Sequence, residues 1–120
     1  MKYLLLIYQN VDAWQALPEA DRLGAMNEAG AIVQELETSG EWVSGEALAD
    51  VSQTKTVKVR NGLADVTDGP FAESREHLAG FVIVECETEQ RAVEIAARWP
   101  DARYFAMEVR PLMTGTGEEM

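Results

Sequence analysis

Two segments of this chain, KYLLLIY at residues 2–8 and LAGFVIVEC at 78–86, carry apolar side chains at odd and even positions alike. In the first, Leu4 and Leu6 lie on one side and Leu5 and Ile7 on the other. In the second, Leu78, Val82 and Val84 are opposed by Phe81 and Ile83. A strand with one wet face alternates apolar and polar residues, so both segments predict strands covered on both faces. The fold must therefore place something against each side of its sheet.

The remaining segments say what is available to do that. Pro18, Glu19 and Asp21 mark a helix start. Leu23, Met26, Ala29, Val33 and Leu36 form an apolar stripe that Ser39-Gly40 stops, predicting a helix over 19–38. Trp42 to Leu48 reads as a strand. Residues 55–60 and 63–67 alternate around Asn61-Gly62, a strong hairpin signal. Thr88 is placed to cap a second helix over 89–99, with Ala92, Val93, Ala96 and Trp99 on its inner face and Pro100 closing it. A last strand is expected over 103–110, and a disordered tail over 113–120.

Set the hairpin aside and the order is strand–helix–strand–strand–helix–strand. That order predicts a ferredoxin-like α+β domain, one domain over 1–112, with an antiparallel sheet, both helices on one face and the hairpin inserted at an edge. Two helices cover one face only. A homodimer formed through the open sheet face is the simplest cover for the other.

Composition narrows the function classes. A net charge of −11 disfavours a phosphate backbone as partner, so no nucleic acid is expected. The apolar start is too short for a membrane span and lacks a signal-peptide cleavage site, which predicts a cytoplasmic protein with no membrane partner. Cys86 stands alone on an apolar strand and reads as a small buried hydrophobe. One histidine and one cysteine cannot make an ordinary zinc shell, the acids lack calcium-loop spacing, and no nucleotide or flavin motif is present, so neither metal nor cofactor is expected.

The segment DGPFAESREHLAGF, residues 68–81, concentrates the polar chemistry. Asp68 can fold back onto the amides of its own turn, or serve as a base or as the carboxylate that orients a histidine. His77, the sole histidine, is either an edge residue or a proton-transfer group, with Asp68 or Glu73 setting its tautomer. Its parity along the strand matches Ala79, Phe81, Ile83 and Glu85. Ser74 and Arg75 can hold a carboxylate ligand, although Arg75 can equally neutralise Glu73 or Glu76. Glu85 and Glu108 interrupt apolar strands, and with Tyr3, Tyr8 and Tyr104 they can rim a small pocket or reach solvent. Trp14, Trp42 and Trp99 read as packing anchors.

With VIVE after it, EVRPL at 108–112 and MKYLLLIY at the start, DGPFAESREHLAGF resembles the DGPF branch of the YCII-related proteins over residues 1 to about 112. The resemblance implies a ferredoxin-like fold assembled as a dimeric α/β barrel. Some such proteins are encoded beside extracytoplasmic-function sigma factors. Others carry a His–Asp pair, and some act on small ring-derived acids. In those the histidine lies near the first helix, where this chain has Arg22, Asn27 and Glu28, and His77 stands where related sequences often have glutamine. The pair therefore does not carry over intact.

Together these readings point to a protein that binds a small organic metabolite near 68–77. Cofactor-free isomerase or lyase chemistry follows if it is an enzyme. Asp68 and His77 are then the catalytic candidates, and Ser74, Arg75, Glu85 and Tyr8 the substrate-binding ones. The second class is a non-catalytic regulatory partner, linked to a sigma factor.

Overall fold

The computed structural model describes residues 1–113; from Thr114 on, the expected tail lies outside the described residues. Its elements are β1 (Lys2–Gln9), α1 (Val11–Ala16), α2 (Glu19–Ser39), β2 (Trp42–Ala47), β3 (Lys55–Arg60), β4 (Leu63–Asp68), β5 (His77–Glu85), α3 (Glu89–Arg98), α4 (Pro100–Tyr104) and β6 (Ala106–Pro111). A single 3₁₀ turn, Val51–Gln53, follows β2. Four strands form one antiparallel sheet in the order β2-β5-β1-β6, while β3 and β4 pair only with each other. The fold is α+β, with ferredoxin-like strand order and an inserted hairpin. The sheet of one chain is open.

The two apolar strands lie at the centre, as their two-faced pattern requires. Tyr3, Leu5, Val82 and Val84 point to the helix side and are buried with Ile32, Leu36, Ala92, Ile95, Ala96 and Trp99. Leu4 and Leu6 pair with Ile83 and Phe81 on the opposite side, half-buried and covered by no element among the described residues. Cys86 is buried at the edge of the core. A bidentate ion pair ties the two halves together. Arg91 of α3 donates from Nε and Nη2 to the Glu41 carboxylate just before β2, at 2.8 and 2.9 Å.

Several boundaries differ from the sequence expectation, each for a local reason. Asn10 starts a short helix that apolar spacing does not announce, its side chain accepting from the Ala13 amide at 3.0 Å. Pro100 does not merely close α3. Lacking an N–H, it suits the first turn of a new helix, so α4 takes residues expected in the last strand. On α2 the inner stripe is Ala25, Ala29, Ile32 and Leu36, whereas Leu23 and Met26 stay 52% and 61% exposed. Both series have helical spacing. The small alanines approach the layer below closely, which hydropathy alone undervalues. On α3, Ile95 takes the inner place expected for Val93, which is 48% exposed.

One shift in register matters for function. Ile7 pairs with Gly80, but Tyr8 pairs with Leu78 and Gln9 with His77, leaving Ala79 as the extra residue of a β-bulge. The Leu48 amide, just beyond β2, donates to the Ala79 carbonyl at 2.8 Å and so uses the group the bulge frees. Parity reverses across a bulge. His77 therefore shares the side of Gln9 and the helices, not that of Phe81 and Ile83 as its spacing suggests.

Candidate ligand-binding cleft

The bulge aims His77 into the end of the sheet where three connections meet. Beside its register partner Gln9, the chain turns into α1 through the Asn10 cap. From the neighbouring strand, the 3₁₀ turn arrives with Asp50 as its cap, whose carboxylate accepts from the Ser52 amide at 3.0 Å. These elements border a half-open cavity of about 210 Å³ walled by Gln9, Trp14, Asp50 and His77 among others. A wider groove of about 450 Å³ opens from the same wall, with Asp50 and His77 again in its lining and Asp12, Ser74 and Arg75 added. The Ser52 hydrogen bonds hold the Asp50 carboxyl below its ordinary range, and the charge of His77 acts in the same direction.

Thus the fold brings His77, Ser74 and Arg75 together, as their sequence proximity suggests. Arg75 has no carboxylate within ion-pair distance among the described residues, so its charge is not spent on Glu73 or Glu76. Ser74 Oγ accepts from the Glu76 amide at 3.3 Å.

The other candidates lie elsewhere. Asp68 pairs with Lys55 at the base of the hairpin, its side chain 83% exposed, and lines neither the cavity nor the groove. Glu85 ends β5 at the opposite end from His77, 3.6 Å from the terminal amine. Tyr8 lies on the open side of the sheet, where it shares a shallow groove with Ser74, Glu76 and Glu108. The Glu108 carboxylate beside its hydroxyl, helped by partial burial, raises the Tyr8 phenol above its ordinary range. Tyr3 is a core residue and Tyr104 ends α4. Near the first helix, Arg22 donates to the Gln15 and Leu17 carbonyls, and Glu28 holds Arg103 at 3.1 and 3.2 Å.

Sequence reasoning missed Asp50, Gln9 and Asp101. Asp50 could have been suspected from its cap position before Ser52. Nothing local marks Asp101, which is 8% exposed and accepts from Gln9 Nε2 at 2.8 Å across 92 residues of chain. Burial pushes its carboxyl up, against the opposing effect of that hydrogen bond.

The chain is a ferredoxin-like α+β domain with a cleft at the end of its central strands. The chain belongs to the YCII-related domain family, whose model matches residues 1–114. It is similar to an uncharacterized protein of Rhizobium meliloti (strain 1021), with 27% identity covering 93% of this chain and 92% of the relative. Its fold is similar to that of 5-chloro-2-hydroxyhydroquinone dehydrochlorinase from Burkholderia phenoliruptrix AC1100, solved in complex with 2,5-dihydroxybenzoquinone. That likeness has a TM-score of 0.56 over 97% of both chains at 14% identity, and it establishes the fold alone.

Proposed function

We propose that this protein binds a small, ring-derived organic acid in the cleft at His77 and moves a proton on it by cofactor-free chemistry of the lyase or isomerase type. One observation carries the reading. His77 belongs to the wall common to the smaller cavity and the wider groove, with Asp50 in both and the uncommitted Arg75 in the groove. An anionic oxygen held by Arg75 and Ser74 sets the neighbouring ring carbon against the imidazole. Neutral His77 takes the proton from a carbon next to a carbonyl, and the C–H electron pair moves into the ring system. In an elimination that pair expels an anionic leaving group; in an isomerisation the imidazolium returns the proton to another carbon. Asp50 stabilises the imidazolium between the two steps. Asp68 holds the hairpin base in this reading, and Asp50 takes the carboxylate role. Membership of the YCII-related family and the fold shared with a dehydrochlorinase support a ring-derived substrate.

The protein works as a cytoplasmic homodimer in this proposal. Leu4, Leu6, Phe81 and Ile83 make an apolar row on the uncovered side of the sheet, and a second copy packing its own row there satisfies both. The rival reading, a regulatory partner of a sigma factor, is favoured by one observation: Val57, Val59 and Val66 of the hairpin are 57–68% exposed.

The test uses 2,5-dihydroxybenzoquinone, which is ionised at neutral pH and carries exchangeable ring C–H groups. In deuterated buffer the protein should bind it with shifts of the His77 ring signals, and should speed deuterium uptake at the ring carbons. His77→Gln should slow that uptake about 100-fold or more while binding persists. Arg75→Ala should weaken binding about tenfold, and Asp68→Asn should change neither. Uptake indifferent to His77→Gln, or a stable sigma-factor complex with no ligand binding, overturns the enzyme in favour of the partner.

A further inference from the structure

A second space lies beneath the sheet, separate from the cleft at His77. It has a volume of about 440 Å³ and runs between α2, the helix-facing side of β2 and β5, and the junction of α3 with α4. The sequence creates it by two means. The inner stripe of α2 leaves Met26 at the rim rather than filling the gap. Two strand glycines then keep the floor low. A Cβ on Gly80 would stand 2.9 Å from the Glu46 carbonyl oxygen, so bare backbone lets β2 close on β5 beside the bulge. A Cβ on Gly45 would stand 2.7 Å from the Trp42 ring, which lies over that glycine and becomes a wall of the space.

We infer that this space is a binding chamber for an uncharged, ring-sized molecule bearing a hydroxyl group, and that it excludes anions. Trp42, Trp99 and Met26 supply its apolar surface. Dry protein cavities of roughly 150 Å³ already hold benzene, so this one accepts a substituted ring with room to spare. Its acid is Asp101, since Glu46 pairs with Phe81 and shares that residue's open face, and none of its lining residues is Lys, Arg or His. A second negative charge beside Asp101 finds no compensating cation and is repelled. A hydroxyl finds the opposite. Asp101 is inside the wall, one oxygen engaged by Gln9 Nε2 at 2.8 Å, and a carboxyl retains acceptor capacity for a further donor.

The chamber meets the cleft at Gln9, Leu48 and Ala79, which line both spaces. Gln9 faces His77 across the strands and Asp101 through its amide, so it is the partition between an anion-holding site and an anion-refusing one. The chamber's selectivity stands on its own lining and does not depend on the proton-transfer reading.

The experiment is an NMR titration of the full ¹⁵N-labelled chain with phenol and, separately, with benzoate. Three tryptophan indole N–H signals report position, because Trp42 and Trp99 wall the chamber while Trp14 walls the His77 cleft. Phenol should move the signals of Trp42 and Trp99 saturably and leave Trp14 in place. Benzoate should bind at least about tenfold more weakly. Met26→Trp fills the rim from an exposed position where folding is not at stake, and should abolish the phenol response. Asp101→Asn keeps the side chain's size and removes its charge, and should narrow the gap between phenol and benzoate. His77→Gln should leave phenol binding unchanged, so a failed proton-transfer reading is told apart from a failed chamber. Benzoate binding as tightly as phenol, movement at Trp14 instead, or a phenol response that survives Met26→Trp overturns the inference.

Discussion

The hairpin β3–β4 and the central strand β5 are written in the same alphabet and end in opposite environments. Val57 pairs directly with Val66 and Val59 with Ala64, so one face of the hairpin is apolar, yet Val57, Val59 and Val66 remain 57–68% exposed. On β5, Val82 and Val84 are 3% and 0% exposed. Alternation specifies a strand and its register, but burial requires a second layer. For β5 that layer is the helical one, where Ile32 and Leu36 of α2 and Ala92, Ile95 and Ala96 of α3 are inside the core. Among the described residues no helix stands over the hairpin, and a two-stranded ribbon alone is marginal in water. The radius of gyration of 16.5 Å reflects the projection, against roughly 14 Å for a compact chain of this length.

Truncating the layer that makes the difference should have the largest effect. Ile95, fully buried under the sheet, becomes a cavity in Ile95→Ala, with an expected loss of about 2–5 kcal/mol in urea unfolding. A loss near that of a surface change would mean the helical layer is not what separates the two regions.

A smaller effect is expected where α3 is pinned to the start of β2. The Arg91 guanidinium beside Glu41 holds that carboxyl down to about 2, against an ordinary 4.5. A depressed folded value stabilises above the unfolded one, so this contribution is complete above pH 4.5 and fades as pH falls towards 2. Glu41→Gln should cost roughly 1–2 kcal/mol at neutral pH, discounted for the solvent exposure of Arg91. Its deficit should vanish across that acid interval. Unfolding curves for the two proteins that stay parallel down to pH 2 would remove the pair from the account.

The smallest effect belongs to the hairpin. Val59→Ser should change stability by no more than about 0.5 kcal/mol. On the proposal that the row at Leu4, Leu6, Phe81 and Ile83 joins two copies, light scattering should still give the mass of a dimer. A larger loss, or a monomer, would show that the hairpin face is covered in solution and erase the contrast with β5.

Legibility followed range along the chain. Asn61-Gly62 was readable because a two-residue turn needs positive φ at both places, and the angles are 52° and 79°. Thr88 was readable as a cap because its acceptor reaches an amide three residues on, at 3.1 Å. The grouping of Ser74, Arg75 and His77 was readable because one short connection carries all three. Asp68 looked like a member of that group by the same logic, but the hairpin base takes it to Lys55.

The sequence by itself determined the order of the six strands and the two long helices, the two apolar faces of β1 and β5, and the need for a cover on each. Those properties are written in nearest neighbours, where periods of two and near four residues state which side each residue takes. Only the tertiary structure decided which carboxylate stands near His77, which side of the sheet that histidine serves, and that Gln9 and Asp101 meet. Each depends on one extra residue at Ala79 and on contacts between strands and helices far apart in the chain. A single-residue shift leaves local pattern almost unchanged while reversing every side chain beyond it.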